Sequence, residues 1–145
     1  MEVFILPKAD LESFVGKLIE QYEVFGPSGS WNGPEFRFAP INSAAEMQLD
    51  YGTTILPPHK KVLHPPQDKL MKFQGRAEVI KSEAEPKRKQ LLFGIHACDV
   101  NAMLTLDQVF LSTYPDPAYK LRRENLVIIG LNCTEPKQNC FCSSF

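Results

Sequence analysis

The clearest hydrophobic pattern in the first half of the chain begins at Asp10. After it, apolar side chains recur at the three- and four-residue spacing that places them on one face of an α-helix: Leu11, Phe14, Val15, Leu18, Ile19 and Tyr22. Asp10 occupies the expected N-cap position, where a carboxylate can accept from the free amides of the first turn. The pattern therefore predicts an amphipathic helix that buries one face. The apolar run from Glu2 to Leu6 favours a short strand before this helix.

Short elements and turns are predicted after the helix. Val24 and Phe25 lead into GPSGSWNGP, whose glycines, prolines and serines predict a turn-rich loop. The stretch from Glu35 to Phe38 favours a short strand. Ser43, followed three residues later by Glu46, fits the capping box of a brief helix.

Two Pro-Pro pairs divide the middle of the chain, within YGTTILPPHKKVLHPPQDKLMKF. We expect an extended segment between the pairs and a helix that starts at Pro66 and runs through Phe73. His59 and His64 lie here without further nearby ligands, so they are interpreted as surface or loop residues rather than metal ligands. Ala77 to Ile80 favours another strand.

The segment KSEAEPKRKQ combines charges of alternating sign with an interrupting proline. This pattern predicts a solvated hairpin loop. Lys87, Arg88 and Lys89 are candidate contacts for a docking partner.

Two buried strands joined by helices are predicted in the second half. Leu91 to Ile95 and Leu126 to Leu131 are short, continuous apolar runs. Between them, Asp99 is placed to cap a helix with apolar residues at helical spacing, and Asp116 with Pro117 begins a shorter helix. A helical connection between two buried strands indicates a parallel pair with a right-handed crossover.

These elements predict one α/β domain over residues 1–145, with a small mixed sheet that contains a parallel β-α-β unit. Residues 1–75 would form an N-terminal half and residues 91–142 a cysteine-bearing half, with long proline-rich connections that suit the 12 prolines of the chain. A net charge of -1 argues against a general nucleic-acid binder, which would carry a basic excess. The chain has no apolar run of about 20 residues and no signal-peptide pattern, so we expect no membrane insertion and a cytoplasmic location.

All four cysteines fall in the second half: Cys98, Cys133, Cys140 and Cys142. Cys98 follows the first predicted strand at the start of a helix, and Cys133 follows the second strand. Because parallel strands share a carboxyl edge, where open α/β sheets bind ligands, both cysteines are expected at that edge. The NCFC segment follows closely enough to fold back over it. The adjacent helix N-terminus is expected to lower the pKa of the Cys98 thiol.

Several chemistries remain open for these cysteines. In a reducing cytoplasm, metal ligands or redox groups are favoured over disulfides. Two solitary cysteines and a C-x-C pair match neither the common zinc knuckles nor the ferredoxin runs, so an iron–sulfur cluster, a structural zinc-binding assembly module and a thiol redox protein are all candidates. A catalytic role is not expected, because the chain has no nucleophile-and-base pair, phosphate loop or dinucleotide fingerprint.

Longer phrases of the chain also match a known family pattern. The specific ones are LLFGIHACDVNAM, DQVFL, YPDPAYKLRRENLVIIGLNCTEP and NCFCSS, while YEVFGP and LDYGTTILPPHKKVLHPPQDKLMKF match more loosely. In these phrases the chain resembles the N-terminal domain of the cytoplasmic sulfhydrogenase β-subunit family, which also contains one of the subunits of anaerobic sulfite reductase. The resemblance extends over nearly the whole chain.

The resemblance implies an electron-transfer component of a multisubunit oxidoreductase that is not itself catalytic. Its partners would be catalytic and flavin- or ferredoxin-containing subunits. The resemblance makes all four cysteines candidate ligands of one [4Fe-4S] cluster: Cys98, Cys133, Cys140 and Cys142. Arg122 and Arg123 would then be candidates for offsetting the cluster's negative charge or for docking to an acidic partner, beside a plain surface role.

The chain departs from the family pattern in two places. Family members usually continue past the CFC segment into a ferredoxin-like region with two further clusters, whereas this chain ends at Phe145. We expect either a fragment or a stand-alone version whose remaining relay lies on a partner. His96 and Ala97 precede Cys98 where the family would have an Arg-Pro or similar pair, and His96 is interpreted as a structural histidine.

Overall fold

The structure is a computed structural model that describes residues 4–29, 36–52, 54, 56–69, 72–74, 78–80, 88–134, 136, 138, 140 and 142, with the backbone alone for 72–74 and 78–80. The strands are β1 (Glu23–Ser28), β2 (Arg37–Pro40), β3 (Lys72–Gln74), β4 (Glu78–Ile80), β5 (Gln90–Ile95) and β6 (Leu126–Gly130). The helices are α1 (Leu11–Gln21), α2 (Pro58–Leu63), α3 (Ala97–Phe110) and α4 (Pro117–Glu124). Short 3-10 turns occupy Lys8–Asp10 and Ala44–Glu46.

The central sheet has the strand order β2-β1-β5-β6. β5 pairs in parallel with both β1 and β6, whereas β2 pairs antiparallel with β1. α3 and α4 connect β5 to β6. This arrangement confirms the predicted α/β fold with a mixed sheet and a parallel β-α-β unit. A separate antiparallel pair is formed by β3 and β4.

The sheet is covered on both faces, as a parallel sheet with continuous apolar strands requires. Successive residues of β5 alternate between the two faces. Leu91 packs with Val15 of α1 on one face. Leu92 packs with Met103 of α3 and Tyr119 of α4 on the other. β6 lies at the edge of the sheet, so apart from Leu126 its residues are partly exposed rather than buried as predicted.

Helix α1 forms where the periodicity predicts it, with Val15 fully buried. Asp10 precedes the helix but makes no side-chain capping hydrogen bond. The far end is capped by Arg88, whose Nη2 donates to the carbonyls of Ile19 at 3.0 Å and Glu20 at 2.5 Å. A guanidinium suits the negative end of a helix dipole. Arg88, a candidate docking contact, thus caps a helix, and its docking role stays a prediction.

Two predictions in the first half were wrong because tertiary pairing outweighs local turn signals. Phe4 to Leu6 do not form a strand in the described part of the chain and are exposed. Gly26 to Ser28, predicted as loop, complete β1 by pairing antiparallel with β2. Gly26 suits this position, since a Cβ there would lie only 3.0 Å from the Met47 sulfur.

The middle segment also differs from its prediction. Residues predicted to be extended form α2, which starts with Pro58 at its first position, where a missing amide costs no hydrogen bond. The helix predicted from Pro66 to Phe73 is absent from the described residues of that range, which contain the first part of β3 instead. β4 confirms the strand predicted near Ile80. The predicted charged hairpin loop falls largely on residues 81–87, which lie outside the described residues.

The second half follows its prediction closely. The Asp116 side chain caps α4 by accepting from the Tyr119 amide at 2.8 Å, as expected. The predicted cap of α3 was wrong, because the helix begins at Ala97 with His96 as its N-cap residue and Asp99 already within the first turn.

In the described part of the chain, no helix combines the length and apolar character needed to cross a bilayer.

Candidate metal-cluster site

The four cysteines line a single cavity of about 640 Å³ at the carboxyl ends of β5 and β6. Cys98 is the second residue of α3, directly after β5. Cys133 follows β6, and Cys140 and Cys142 come from the segment beyond it. The parallel pairing of β5 and β6 brings these separate segments to one edge. The structure thus brings together all four cysteines that the sequence singled out.

The helix N-terminus and burial act in opposite directions on Cys98. Backbone amides of Asp99 and of Cys98 itself donate to the Cys98 sulfur and favour its thiolate. Burial, followed by the charge of Asp99, outweighs these bonds and raises the pKa of the Cys98 thiol. The expected lowering of this pKa was therefore wrong, because the half-buried thiol loses more hydration than the amides replace.

The other three cysteines are exposed, whereas Cys98 is half-buried. Within the described part of the chain, no three His, Cys, Asp or Glu side chains are grouped closely enough to hold a metal ion. Among the described residues, the four cysteines thus share one cavity without forming a compact group of ligands. Thiol-rich sites commonly complete their geometry only when a metal binds, because the ligands must first lose protons and then approach.

A half-buried carboxyl group lies beside the thiols. Asp99 lines the cavity, and burial raises the pKa of its carboxyl from 3.8 to about 6. As an acidic residue in the first turn of α3, it also faces the positive end of the helix dipole. The carboxamides of Asn101 and Asn132 line the same cavity and add neutral hydrogen-bond donors.

Two stacked rings form one wall of the cavity. The Tyr51 and His96 rings are nearly parallel, with an interplanar angle of 5° and centroids 4.3 Å apart. The Tyr51 hydroxyl donates a 2.6 Å hydrogen bond to the Gly94 carbonyl. Burial raises the pKa of Tyr51, and Asp99, Cys98 and Cys133 add to that rise. Burial alone lowers the pKa of His96.

The arginines considered for charge compensation are engaged elsewhere. Arg122 pairs with Asp68 and donates to the Leu63 carbonyl at 3.3 Å. The Nε of Arg123 lies 3.1 Å from both carboxylate oxygens of Asp107. Neither arginine lines the cysteine cavity. They tie α4 to its neighbours instead.

His59 and His64 do not line the cavity either. His59 is only 2% exposed, so its interpretation as a surface or loop residue was wrong. His64 is half-buried and packs its ring against Phe110 and Tyr119, with centroids 5.0 and 5.3 Å away. Both histidines are structural parts of the core around α2.

Tyr51, Asn101 and Asn132 also line the cavity but were not predicted from the sequence. Asn101 lies one helical turn after Cys98, so the predicted start of α3 contained the signal for it. Asn132 precedes Cys133 directly and could have been found in the same way. For Tyr51, the only sequence signal was its place in the LDYG phrase. Its loop comes from the first half of the chain, and no local pattern predicts that such a loop approaches the cysteines.

Fold and cavity together define an α/β protein with four cysteines gathered at the carboxyl edge of its parallel strands. No protein-family model matches the chain, and no solved structure matches it. Among curated proteins, it is similar to sulfhydrogenase 2 subunit beta of Pyrococcus furiosus, with 42% identity over 131 residues. That match covers 90% of this chain and 37% of the relative, so the chain spans little more than a third of the relative's length. Over this segment, the similarity supports the sulfhydrogenase β-subunit family as the relatives of this chain.

Proposed function

We propose that this chain is an electron-transfer unit of a multisubunit oxidoreductase and holds one [4Fe-4S] cluster. The ligands would be the four cysteines of the cavity: Cys98, Cys133, Cys140 and Cys142. The observation that supports this proposal most strongly is their convergence on one cavity from separate segments of the chain. The relative's name identifies that protein as a sulfhydrogenase subunit, which favours a redox complex as the setting.

The donor set suits such a cluster, because iron–sulfur clusters are held by cysteine thiolates. A bound cluster of this type supplies one-electron transfer, with a potential set by burial, net charge and hydrogen bonds to sulfur. The chain itself would bind the cluster, shield it from water and tune its reduction potential. The exposed cysteines would complete the site by approaching Cys98 when the metal binds.

The described residues that line the cavity include no lysine or arginine, so among them compensation of the cluster's negative charge would come from dipoles. The Asp99 and Cys98 amides already point at the Cys98 sulfur. Asn101 and Asn132 supply carboxamides to the same cavity. Because the two arginines of α4 are paired with carboxylates elsewhere, they would not offset the cluster's negative charge, which would favour a low reduction potential.

The partners would be catalytic and flavin- or ferredoxin-containing subunits that exchange electrons with the site. A net charge of -1 offers no basis for nucleic-acid binding. The three exposed cysteines would be the part of the site that a redox partner approaches.

Anaerobic purification, or reconstitution with iron and sulfide, followed by metal analysis and visible spectroscopy tests this proposal. We expect a brown protein with about four irons and four sulfides per chain. Single Cys→Ser changes at the four positions should bleach it, whereas Thr134→Ser in the same segment should not. One zinc ion per chain without colour would replace the proposal with a structural zinc module.

A further inference from the structure

The Tyr51–His96 stack is built into the sheet through a bulge in β5. The β5–β6 register passes from Phe93 opposite Ile129 to Ile95 opposite Gly130, so Gly94 is an extra residue without a partner in this ladder. Gly94 has a φ of 82°, which a side chain would strain. The bulge turns the Gly94 carbonyl toward Tyr51, whose hydroxyl satisfies it at 2.6 Å.

The surroundings hold the Tyr51 ring in one orientation. Phe38 packs edge-on against it, with ring centroids 5.8 Å apart, and Phe36 packs at 6.1 Å. A Cβ at Gly94 would meet the Leu49 side chain at 3.2 Å, so the segment before Tyr51 rests directly on the bulge. Tyr51 is only 7% exposed. The ring is therefore a fixed surface against which His96 stacks.

His96 connects this fixed surface to the cysteines. Its carbonyl accepts the first two hydrogen bonds of α3, from the amides of Asp99 and Val100, each at 3.1 Å. Its ring is held by Tyr51, and the residue is 4% exposed. Cys98 follows two residues later, so the position of the α3 N-terminus depends on the orientation of His96.

We propose that Tyr51 and His96 are positioning residues of the cysteine site. Their stacked rings hold the α3 N-terminus and Cys98 in place and keep water away from one side of the cavity. This inference rests on the proposed function for its effect on a bound cluster. The positioning of Cys98 by the two rings does not depend on a cluster, because both rings belong to the chain itself.

The first experiment uses metal-free protein and measures thiol alkylation by mass spectrometry. The exposed Cys133 serves as the internal reference for Cys98. Losing one aromatic pair should raise an opening equilibrium roughly two- to tenfold, so Tyr51→Leu should raise the Cys98-to-Cys133 alkylation ratio by that factor. His96→Leu should do the same.

Tyr119→Leu is the matched control for this experiment. Tyr119 is also a buried tyrosine whose hydroxyl donates a short bond, 2.7 Å to Asp107, but it does not line the cavity. Tyr119→Leu should lower thermal stability about as much as Tyr51→Leu does, without changing the Cys98-to-Cys133 alkylation ratio. Equal ratios in Tyr51→Leu and Tyr119→Leu would overturn the inference. Tyr51→Phe keeps the ring and should stay near wild type, so a ratio as high as that of Tyr51→Leu would exclude stacking as the cause.

The second experiment uses protein reconstituted with iron and sulfide. Release of iron to a chelator should be roughly two- to tenfold faster in Tyr51→Leu than in Tyr119→Leu, for the same reason. The midpoint potential should shift upward, since added water stabilises the more negative reduced state. Wild-type protein that takes up no iron would refute the proposed function and leave the alkylation result to decide this inference. If wild-type protein does take up the cluster, but iron release and midpoint potential are unchanged from wild type in both Tyr51→Leu and Tyr119→Leu, only this inference would be refuted.

Discussion

The burial of His59 predicts a specific loss of stability in acid. His59 lies in α2 and is 2% exposed, and its Nδ1 has no hydrogen-bond partner within the described part of the chain. Burial, followed by the charges of Lys60 and His64, lowers the pKa of His59 from 6.5 to about 4. The unfolded chain therefore binds a proton more readily than the folded chain. Stability from this group is fully present above pH 6.5, falls as the pH drops below that value and stops falling below about pH 4.

The size of the effect follows from the two pKa values. A full shift from 6.5 to about 4 corresponds to roughly 3 kcal/mol at about 1.36 kcal/mol for each unit. Between about pH 7.5 and pH 4.5, the free energy of unfolding should fall by about 2.5 kcal/mol through this residue. For a chain of this length, that corresponds to a decrease in Tm of roughly 5–10 °C.

The assay compares wild type with His59→Gln, which is neutral at both pH values and similar in size. Urea unfolding of the metal-free proteins is followed by circular dichroism, and the difference in unfolding free energy is taken at each pH so that other titrating groups cancel. We expect wild type to lose about 2.5 kcal/mol relative to the variant on acidification. A difference that stays constant over this range would show that His59 titrates equally in both states and would refute the reasoning.

Further changes test the backbone and the ion pairs by urea unfolding. Gly94→Ala should lower the unfolding free energy by about 1–3 kcal/mol because of its positive φ, whereas Gly16→Ala, in open space on α1, should raise it by about 0.5–1 kcal/mol. Arg88→Ala should cost about 1 kcal/mol by uncapping α1, and the neighbouring exposed Lys89→Ala less than about 0.5 kcal/mol. Asp68→Asn should cost about 1–3 kcal/mol, since it leaves a buried guanidinium without its carboxylate. Equal changes in unfolding free energy for the two glycine variants would contradict the strain at Gly94, and equal changes for Arg88→Ala and Lys89→Ala would contradict the cap. No change in Asp68→Asn would contradict the ion pair.

The second half of the fold was predictable because its signals are local. Continuous apolar runs define β5 and β6, and helical spacing with Asp116 and Pro117 defines the helices between them. Parallel pairing then follows from the length and helical content of the connection. The convergence of the cysteines was predictable for the same reason, since both strands end shortly before a cysteine.

The sequence by itself determined the α/β class, the amphipathic α1 and the shared sheet edge of Cys98 and Cys133. These features depend on periodicity and on neighbours in the chain. Only the tertiary structure decided that residues 26–28 extend β1, that Arg88 caps α1 and that Tyr51 stacks on His96. Each of these depends on contacts between residues distant in sequence, whose energies outweigh local turn or loop preferences and leave no periodic trace in the chain.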